Sequence, residues 1–259
     1  MKKAVFFDID GTLWNEQMQI PQSTVEAIRA LRRAGHYAFL CSGRSRSNIR
    51  NTRLLGIGFD GIVAACGADI EFHGEKMYEK LLSREELAHA LSVIEKHHIA
   101  VVLEGPQYVY VNEEEFIDDP FIDYLRRELG EDVKPIRGTE RYLVNKMSAA
   151  TNGADIAQVR KELGDGFDVI VHNPNLIEIT PRGITKATGI ERVCERLGLS
   201  REDTYAFGDS PNDLEMLEFV AHGIAMGNAV AIVRQAADHV TTDIMENGIR
   251  NGLLHYGLI

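Results

Sequence analysis

Lys3-Ala4-Val5-Phe6-Phe7-Asp8-Ile9-Asp10-Gly11-Thr12-Leu13 decides how this chain is read. Residues 3–8 form a short apolar, aromatic run that stops at acidic residues and a glycine, the pattern of a buried strand that delivers Asp8 to its carboxyl end. In open α/β sheets ligands are bound at that end. Residues 21–34 carry Val25, Ile28 and Leu31 on one side and stop before Gly35, which predicts a helix, and 36–40 predict a second strand. A helix predicted over 45–54 leads to the apolar run 62–65. The first 65 residues therefore read as a doubly wound parallel sheet, followed by short strands at 69–72 and 76–80.

The pattern changes at Ser83. Ser83 and Glu86 have capping-box spacing, and Leu87, Leu91 and Ile94 form the apolar stripe of a helix running to about His97. Residues 99–104 and 108–112, separated by Gly105 and Pro106, predict a hairpin; a helix over 121–129 and strands at 144–149, 168–172 and 176–180 follow. After Gly183 the buried pattern returns, with Ile190, Val193, Cys194 and Leu197 at helical spacing, then a strand over 204–207 that ends at Gly208 and Asp209. The expected organisation is α/β: a Rossmann-like doubly wound core from residues 1–82 and 183–259, interrupted by an α+β module at 83–182 of ordinary domain size.

Of the 259 residues 44% are hydrophobic and 26% charged, enough apolar material for a sizeable core and inconsistent with disorder. No apolar run approaches the roughly 20 residues needed to span a bilayer. Lys2 and Lys3 precede only four apolar residues, too few for a signal-peptide core, so a cytoplasmic location is expected. Cys41, Cys66 and Cys194 fall in no metal-ligand spacing and read as buried thiols of a reducing compartment. With 28 Lys and Arg against 39 Asp and Glu the net charge is −11, and no basic stripe could follow a phosphate backbone, so nucleic acid is not an expected partner. An anionic small molecule would need a local cationic pocket or a metal ion.

Four segments at expected strand ends carry groups for such a pocket. Asp8 and Asp10, two apart and followed by Gly11 and Thr12, bring two carboxylates and several backbone N–H groups together. A calcium loop would want Gly at its sixth position and Glu at its twelfth, where this chain has Leu13 and Gln19, which leaves an acidic turn as the plain alternative. Ser42, Gly43 and Arg44 offer a hydroxyl, a permissive backbone and a guanidinium to an anion. Lys186 opens an amphipathic helix, where a solvated lysine is the alternative. Gly208-Asp209-Ser210-Pro211-Asn212-Asp213 closes another strand, where a helix-start cap is the alternative.

Taken in order, Phe6-Phe7-Asp8-Ile9-Asp10-Gly11-Thr12-Leu13, Ser42-Gly43-Arg44, Lys186 and Gly208-Asp209-Ser210-Pro211-Asn212-Asp213 resemble the four motifs of the haloacid dehalogenase-like superfamily. The trailing Ile224-Ala225-Met226-Gly227-Asn228-Ala229 is similar to a segment of Cof-type phosphatases of subclass IIB, whose cap is inserted between motifs two and three, the slot of residues 83–182.

The resemblance implies Mg2+-dependent hydrolysis of a small phosphorylated metabolite, a sugar phosphate or a phosphorylated cofactor such as flavin mononucleotide or pyridoxal phosphate, without an obligate protein partner. Asp8 would be the nucleophile, forming an aspartyl-phosphate, and Asp10 the acid and base. Lys186 would offset charge, Ser42, Gly43, Arg44 and Asn212 would bind phosphate, and Asp8, the Asp10 carbonyl and Asp209 would hold the metal, with Asp213 orienting Lys186 or a metal-bound water. A phosphomutase of the same superfamily shares the aspartyl-phosphate, and a receiver-like signalling module shares the phosphoacceptor Asp. His172, Asn173 and Asn175 could reach a pocket, or simply end a strand and form a turn.

Overall fold

A computed structural model describes residues 2–116, 120–137 and 141–259. The chain falls into two compact units: Met1–Gly43, Thr52–Met77 and Thr185–Ile259 form the first, Arg44–Asn51 and Tyr78–Ile184 the second.

The first unit is built on a sheet whose strands lie in the order His239–Val240, His222–Ala225, Thr204–Gly208, Ala4–Phe7, Tyr37–Cys41, Gly61–Ala64, Asp69–Phe72 and Glu75–Glu79. Five successive pairs, from His239–Val240 to Gly61–Ala64, are parallel, and Gly61–Ala64 meets Asp69–Phe72 antiparallel. Ala4–Phe7 is buried throughout, as expected of a central parallel strand covered on both faces. Aromatic pairs join it to its neighbours: Phe6 stacks on Phe39 at 5.1 Å and Phe7 on Phe207 at 5.2 Å. After this strand the chain builds to one side, and after residue 185 it builds to the other. The gap between Ala4–Phe7 and Thr204–Gly208 is thus the switch point where open α/β sheets present a crevice at their carboxyl ends.

The helix expected over 21–34 is Gln22–Arg33, burying Thr24, Ala27, Ile28 and Leu31. The helix expected over 45–54 does not form. Arg46–Asn48 is a 3-10 turn, Thr52–Leu55 a single α-turn, and Ile49 between them has φ −105° and ψ 74°. Arginine side chains take carbonyls that a continuous helix would use: Arg46 Nη1 donates to Ile49 O at 3.0 Å and Arg50 Nε to Ser47 O at 3.0 Å. Only Ile49 and Leu54 are apolar in 45–54, too few for the recurring stripe that would have fixed a helix.

In the second unit the strand order is Phe167–Asn173, Leu176–Pro181, Lys146–Ala150, Ala100–Glu104, Val109–Val111 and Val133–Pro135, with only the last pair parallel. Arg84–Lys96 begins with the capping box read from Ser83 and Glu86. Its Leu87, Val93 and Ile94 pack in a core with Val101, Met147, Val159 and Ile179, whereas Ile122 and Leu125 of Pro120–Leu129 pack with Val102 and Val111. The expected hairpin forms with Leu103 opposite Tyr110. Ile156–Leu163 was not foreseen, although Asp155 caps it by accepting from Ala157 N and Gln158 N, and Val159 and Leu163 are its buried residues. Cys41, Cys66 and Cys194 are buried thiols. Among the described residues no helix is long and apolar enough to cross a membrane.

Candidate active site

The sheet register brings the motif residues to one edge. Phe7 lies opposite Leu40 on one side and Phe207 on the other, and Asp8 N donates to Phe207 O at 3.0 Å. Asp8 therefore emerges between the ends of the two neighbouring strands, at the level of Cys41 on one side and Gly208 on the other, with Ser42 and Asp209 the next residues along.

Lys186 arrives from the helix Lys186–Leu197, whose start is fixed twice. Thr185 and Thr188 form a reciprocal capping box. Gly67 and Gly189 also let this helix approach the end of the Gly61–Ala64 strand, since a Cβ on Gly189 would lie 2.6 Å from Val63 Cγ1 and 2.9 Å from Gly67 Cα. Lys186 is 2% exposed, and its Nζ donates to Asp8 Oδ1 and to Asp213 Oδ1, each at 2.6 Å.

Asp213 is fully buried. Its Oδ2 accepts from Asp209 N at 2.9 Å and Ser210 N at 3.0 Å, so both carboxylate oxygens are committed. Asp209 accepts from Thr12 Oγ1 at 3.0 Å and lies so close to Gly11 that a Cβ there would meet its Oδ2 at 2.1 Å. With a φ of +82° as well, position 11 is reserved for glycine. Asn228 Nδ2 donates to Gly11 O at 2.7 Å and pins the turn from the far side of the sheet order.

One carboxylate oxygen from each of Asp8, Asp209 and Asp213 lies within 4.8 Å of the others, a grouping that could hold a metal ion. Burial, then the charge of Asp213, pushes the Asp8 carboxyl well above the usual range against the opposing pull of Lys186. Asp209 is raised to about 7 by burial and then by Asp213. Burial alone would depress the Lys186 ammonium, but Asp213 and Asp8 outweigh it and hold it well above its ordinary value. Carboxylates raised together around a firmly charged ammonium mean that one positive charge does not balance the cluster. A hard divalent cation with oxygen ligands suits that excess.

The family description haloacid dehalogenase-like hydrolase matches residues 5–253. The chain belongs to that family. The Bacillus subtilis protein YkrA is 31% identical over 99% of this hydrolase and 98% of its own length. The 5-amino-6-(5-phospho-D-ribitylamino)uracil phosphatase YitU of the same organism is 29% identical over 97% and 96%. Among solved structures, one described as showing a conserved trigonal-bipyramidal intermediate in a phosphoryl-transfer superfamily matches with a TM-score of 0.88 and 30% identity, each chain fully covered. The subclass IIB sugar phosphatase BT4131 matches with a TM-score of 0.85 and 29% identity, again over both whole chains. The resemblance read from the four motifs holds, and with it the expectation of a hydrolase among phosphatase relatives.

Of the site residues named from its sequence, the hydrolase brings Asp8, Lys186, Asp209 and Asp213 together. Ser42 is buried at the end of Tyr37–Cys41, with its N–H committed to Val63 O at 2.9 Å and Gly43 next to it. Arg44 belongs to the second unit, where Nη1 donates to Tyr124 Oη at 2.5 Å and the guanidinium carbon lies 5.4 Å from the ring centroid. Asn212 accepts from Ser210 Oγ through its Oδ1, which leaves its NH2 as a donor group. Asp10 is exposed, and its Oδ1 accepts from Trp14 Nε1 at 2.9 Å. Asn173 Oδ1 accepts from Asn175 N at 2.8 Å, closing the turn after the Phe167–Asn173 strand. Thr12, Trp14 and Asn228 were not assigned from the sequence. Thr12 and Asn228 lay inside the quoted motifs, but only the folded turn shows what their side chains reach.

Proposed function

We propose that this hydrolase is a Mg2+-dependent phosphatase that removes the phosphoryl group of a small phosphorylated metabolite through an aspartyl-phosphate on Asp8. The observation that carries the reading is the state of Asp8: Oδ1 is taken by Lys186, while Oδ2 makes no hydrogen bond among the described residues. A buried carboxylate held by one oxygen presents the other for in-line attack on phosphorus. The phosphorus–oxygen bond to the leaving group then breaks, and Asp10 gives its proton to the departing alkoxide. In the second half Asp10 takes a proton from the water that attacks the aspartyl-phosphate.

The metal would be held by Asp8, Asp209 and the Asp10 carbonyl, since both oxygens of Asp213 are already engaged by Lys186 and two backbone N–H groups. When bound, Mg2+ supplies positive charge beside the transferring phosphoryl group. The Ser42 hydroxyl, the backbone at Gly43, Arg44 and the Asn212 amide would hold phosphate oxygens, and Lys186 neutralises charge on Asp8. Residues 83–182 would act as the cap that recognises the rest of the substrate. The relatives' own substrates, a phosphorylated ribitylamino pyrimidine for YitU and a sugar phosphate for BT4131, support a polyol or sugar phosphate.

Phosphate release from a panel of phosphorylated metabolites with Mg2+ tests the reading. Asp8→Asn should lower release by more than about a thousandfold while the protein stays folded. A folded Asp8→Asn variant that kept turnover would overturn it.

A further inference from the structure

We propose that Trp14 is a positioning residue that aims the carboxyl of Asp10 at the leaving group. The proposal rests on the reading of Asp10 as the proton donor, and it begins with a contrast in burial. Asp10 is exposed, whereas Trp14 is 3% exposed, so the partner that meets the Asp10 carboxyl is itself held in the packed interior.

The backbone sets the two side by side. Leu13 N and Trp14 N both donate to Ile9 O, at 3.0 and 3.3 Å, Gly11 N donates to Trp14 O at 3.1 Å, and Asp10 and Trp14 form an isolated bridge. Within that turn the indole N–H reaches Asp10 Oδ1 at 2.9 Å. An indole nitrogen can only donate, so this contact holds a carboxylate oxygen that stays an acceptor and directs the proton to the other oxygen, Oδ2. Proton transfer needs the donor held within a fraction of an ångström of its target, and the Trp14 contact fixes one oxygen of the Asp10 carboxyl for that purpose. Trp14 contributes this orientation without touching substrate itself.

Trp14→Phe keeps a six-membered ring but removes the pyrrole edge that carries the donor, so the packing loss, common to both substrates, is separated from the loss of the donor by comparing them. With 2-glycerol phosphate, whose alkoxide needs protonation, kcat should fall about tenfold, the scale of one hydrogen bond to a charged group, and KM should change less than about twofold. With p-nitrophenyl phosphate, whose leaving group hardly needs a proton, kcat should stay within about twofold. A merely structural role would slow both substrates alike. Equal loss on both, or no loss on either, overturns the proposal.

Trp14 is the only tryptophan of the chain, which supplies a second measurement that needs no turnover and no Trp14 variant. Asp10→Ala should shift the emission of the folded protein, because the indole N–H loses its carboxylate; unchanged emission overturns the contact. The two ideas fail separately. If Asp10→Asn is selectively slow on 2-glycerol phosphate but Trp14→Phe is not, the role of Trp14 falls and that of Asp10 stands. If Asp10→Asn is equally slow on both substrates, the reading of Asp10 as donor falls and takes the proposal with it.

Discussion

The carboxylate of Asp213 joins Lys186 to the backbone of motif four: Oδ1 accepts from Lys186 Nζ at 2.6 Å while Oδ2 accepts from the N–H groups of Asp209 and Ser210. Each of these hydrogen-bond partners of the fully buried group is a donor, so both oxygens serve as acceptors. The amide in Asp213→Asn must turn its NH2 either toward the ammonium or toward the two backbone N–H groups, and each choice sets donor against donor. We expect this variant to lose about 3–5 kcal/mol of stability, as for breaking a buried ion pair, and at least about a hundredfold in kcat because Lys186 is no longer held. Denaturant unfolding and phosphate release on the same preparation check both; wild-type stability in Asp213→Asn would remove Asp213 as the anchor.

Asp209 sets a pH dependence with an unusual sign. Burial and the charge of Asp213 push its carboxyl up to about 7, whereas an aspartate in the unfolded chain titrates near 4. Between these values the native state keeps a proton that the unfolded state has released, so stability falls as the pH rises. The raised Asp8 acts in the same direction. In chelator, the melting temperature should climb as the pH is lowered from about 8 to about 5.5, and Asp209→Asn should flatten that slope. The proposed coordination of Mg2+ by Asp209 requires the carboxylate ionised, so the rise in melting temperature on adding Mg2+ should grow from pH 5.5 to pH 8. A parent and an Asp209→Asn variant with identical slopes in chelator would contradict the assignment.

The contact between Gly67 and Gly189 fixes where Lys186 stands. A methyl group on Gly189 would lie 2.6 Å from Val63 Cγ1 and 2.9 Å from Gly67 Cα, and a backbone atom cannot swing aside as a side-chain tip can. Gly189→Ala should cost about 1–3 kcal/mol by overpacking and move the first turn of its helix away from the sheet. Because Lys186 lies on that turn, kcat should fall together with the melting temperature. Loss of stability with unchanged kcat would show that Lys186 is placed by its ion pairs rather than by the helix.

Asp8, Asp209 and Lys186 were legible because each follows from a local pattern: an apolar run that ends in an acidic residue, or a capped amphipathic helix. Parallel strands then carry their ends to one edge whatever the loops do. The aim of the Asp10 side chain was not legible, since it depends on a turn that brings Trp14 back over four residues. Residues 45–54 misled because Arg46 and Arg50 satisfy the carbonyls that a helix would have claimed, a competition that propensity does not show. The helix Ile156–Leu163 did carry a signal, with Asp155 as cap and Ile156, Val159 and Leu163 at helical spacing. What lay beyond reach was any pairing between distant strands, of which Lys146 and Glu178, 32 residues apart, are the clearest case.

Lys146 lies on the sheet of the second unit and is 1% exposed. Its Nζ pairs with Glu178, lies 3.1 Å from Glu104 Oε1 and donates to Ser148 Oγ at 3.3 Å. Glu104 also accepts from Ser148 Oγ at 2.5 Å and Ser45 N at 3.3 Å, and His172 Nε2 lies 3.3 Å from Glu178 Oε2. Burial alone would raise the Glu178 carboxyl, but Lys146 and His172 hold it well below the usual range. A lowered native pKa contributes stability above the unfolded value and loses it as the pH falls through the native one. Lys146→Met strands two buried carboxylates and should cost about 3–5 kcal/mol at neutral pH. The penalty should shrink near pH 4, where the stranded carboxylates take up protons. Adding Glu104→Met and Glu178→Met should restore most of the loss, since an apolar core replaces a buried ion cluster at little cost. Hydrogen exchange of the Lys146–Ala150 strand reads the local stability, and a Lys146→Met penalty that stayed constant from pH 7 to pH 4 would show that packing of the lysine stem, not its charge, holds this sheet together.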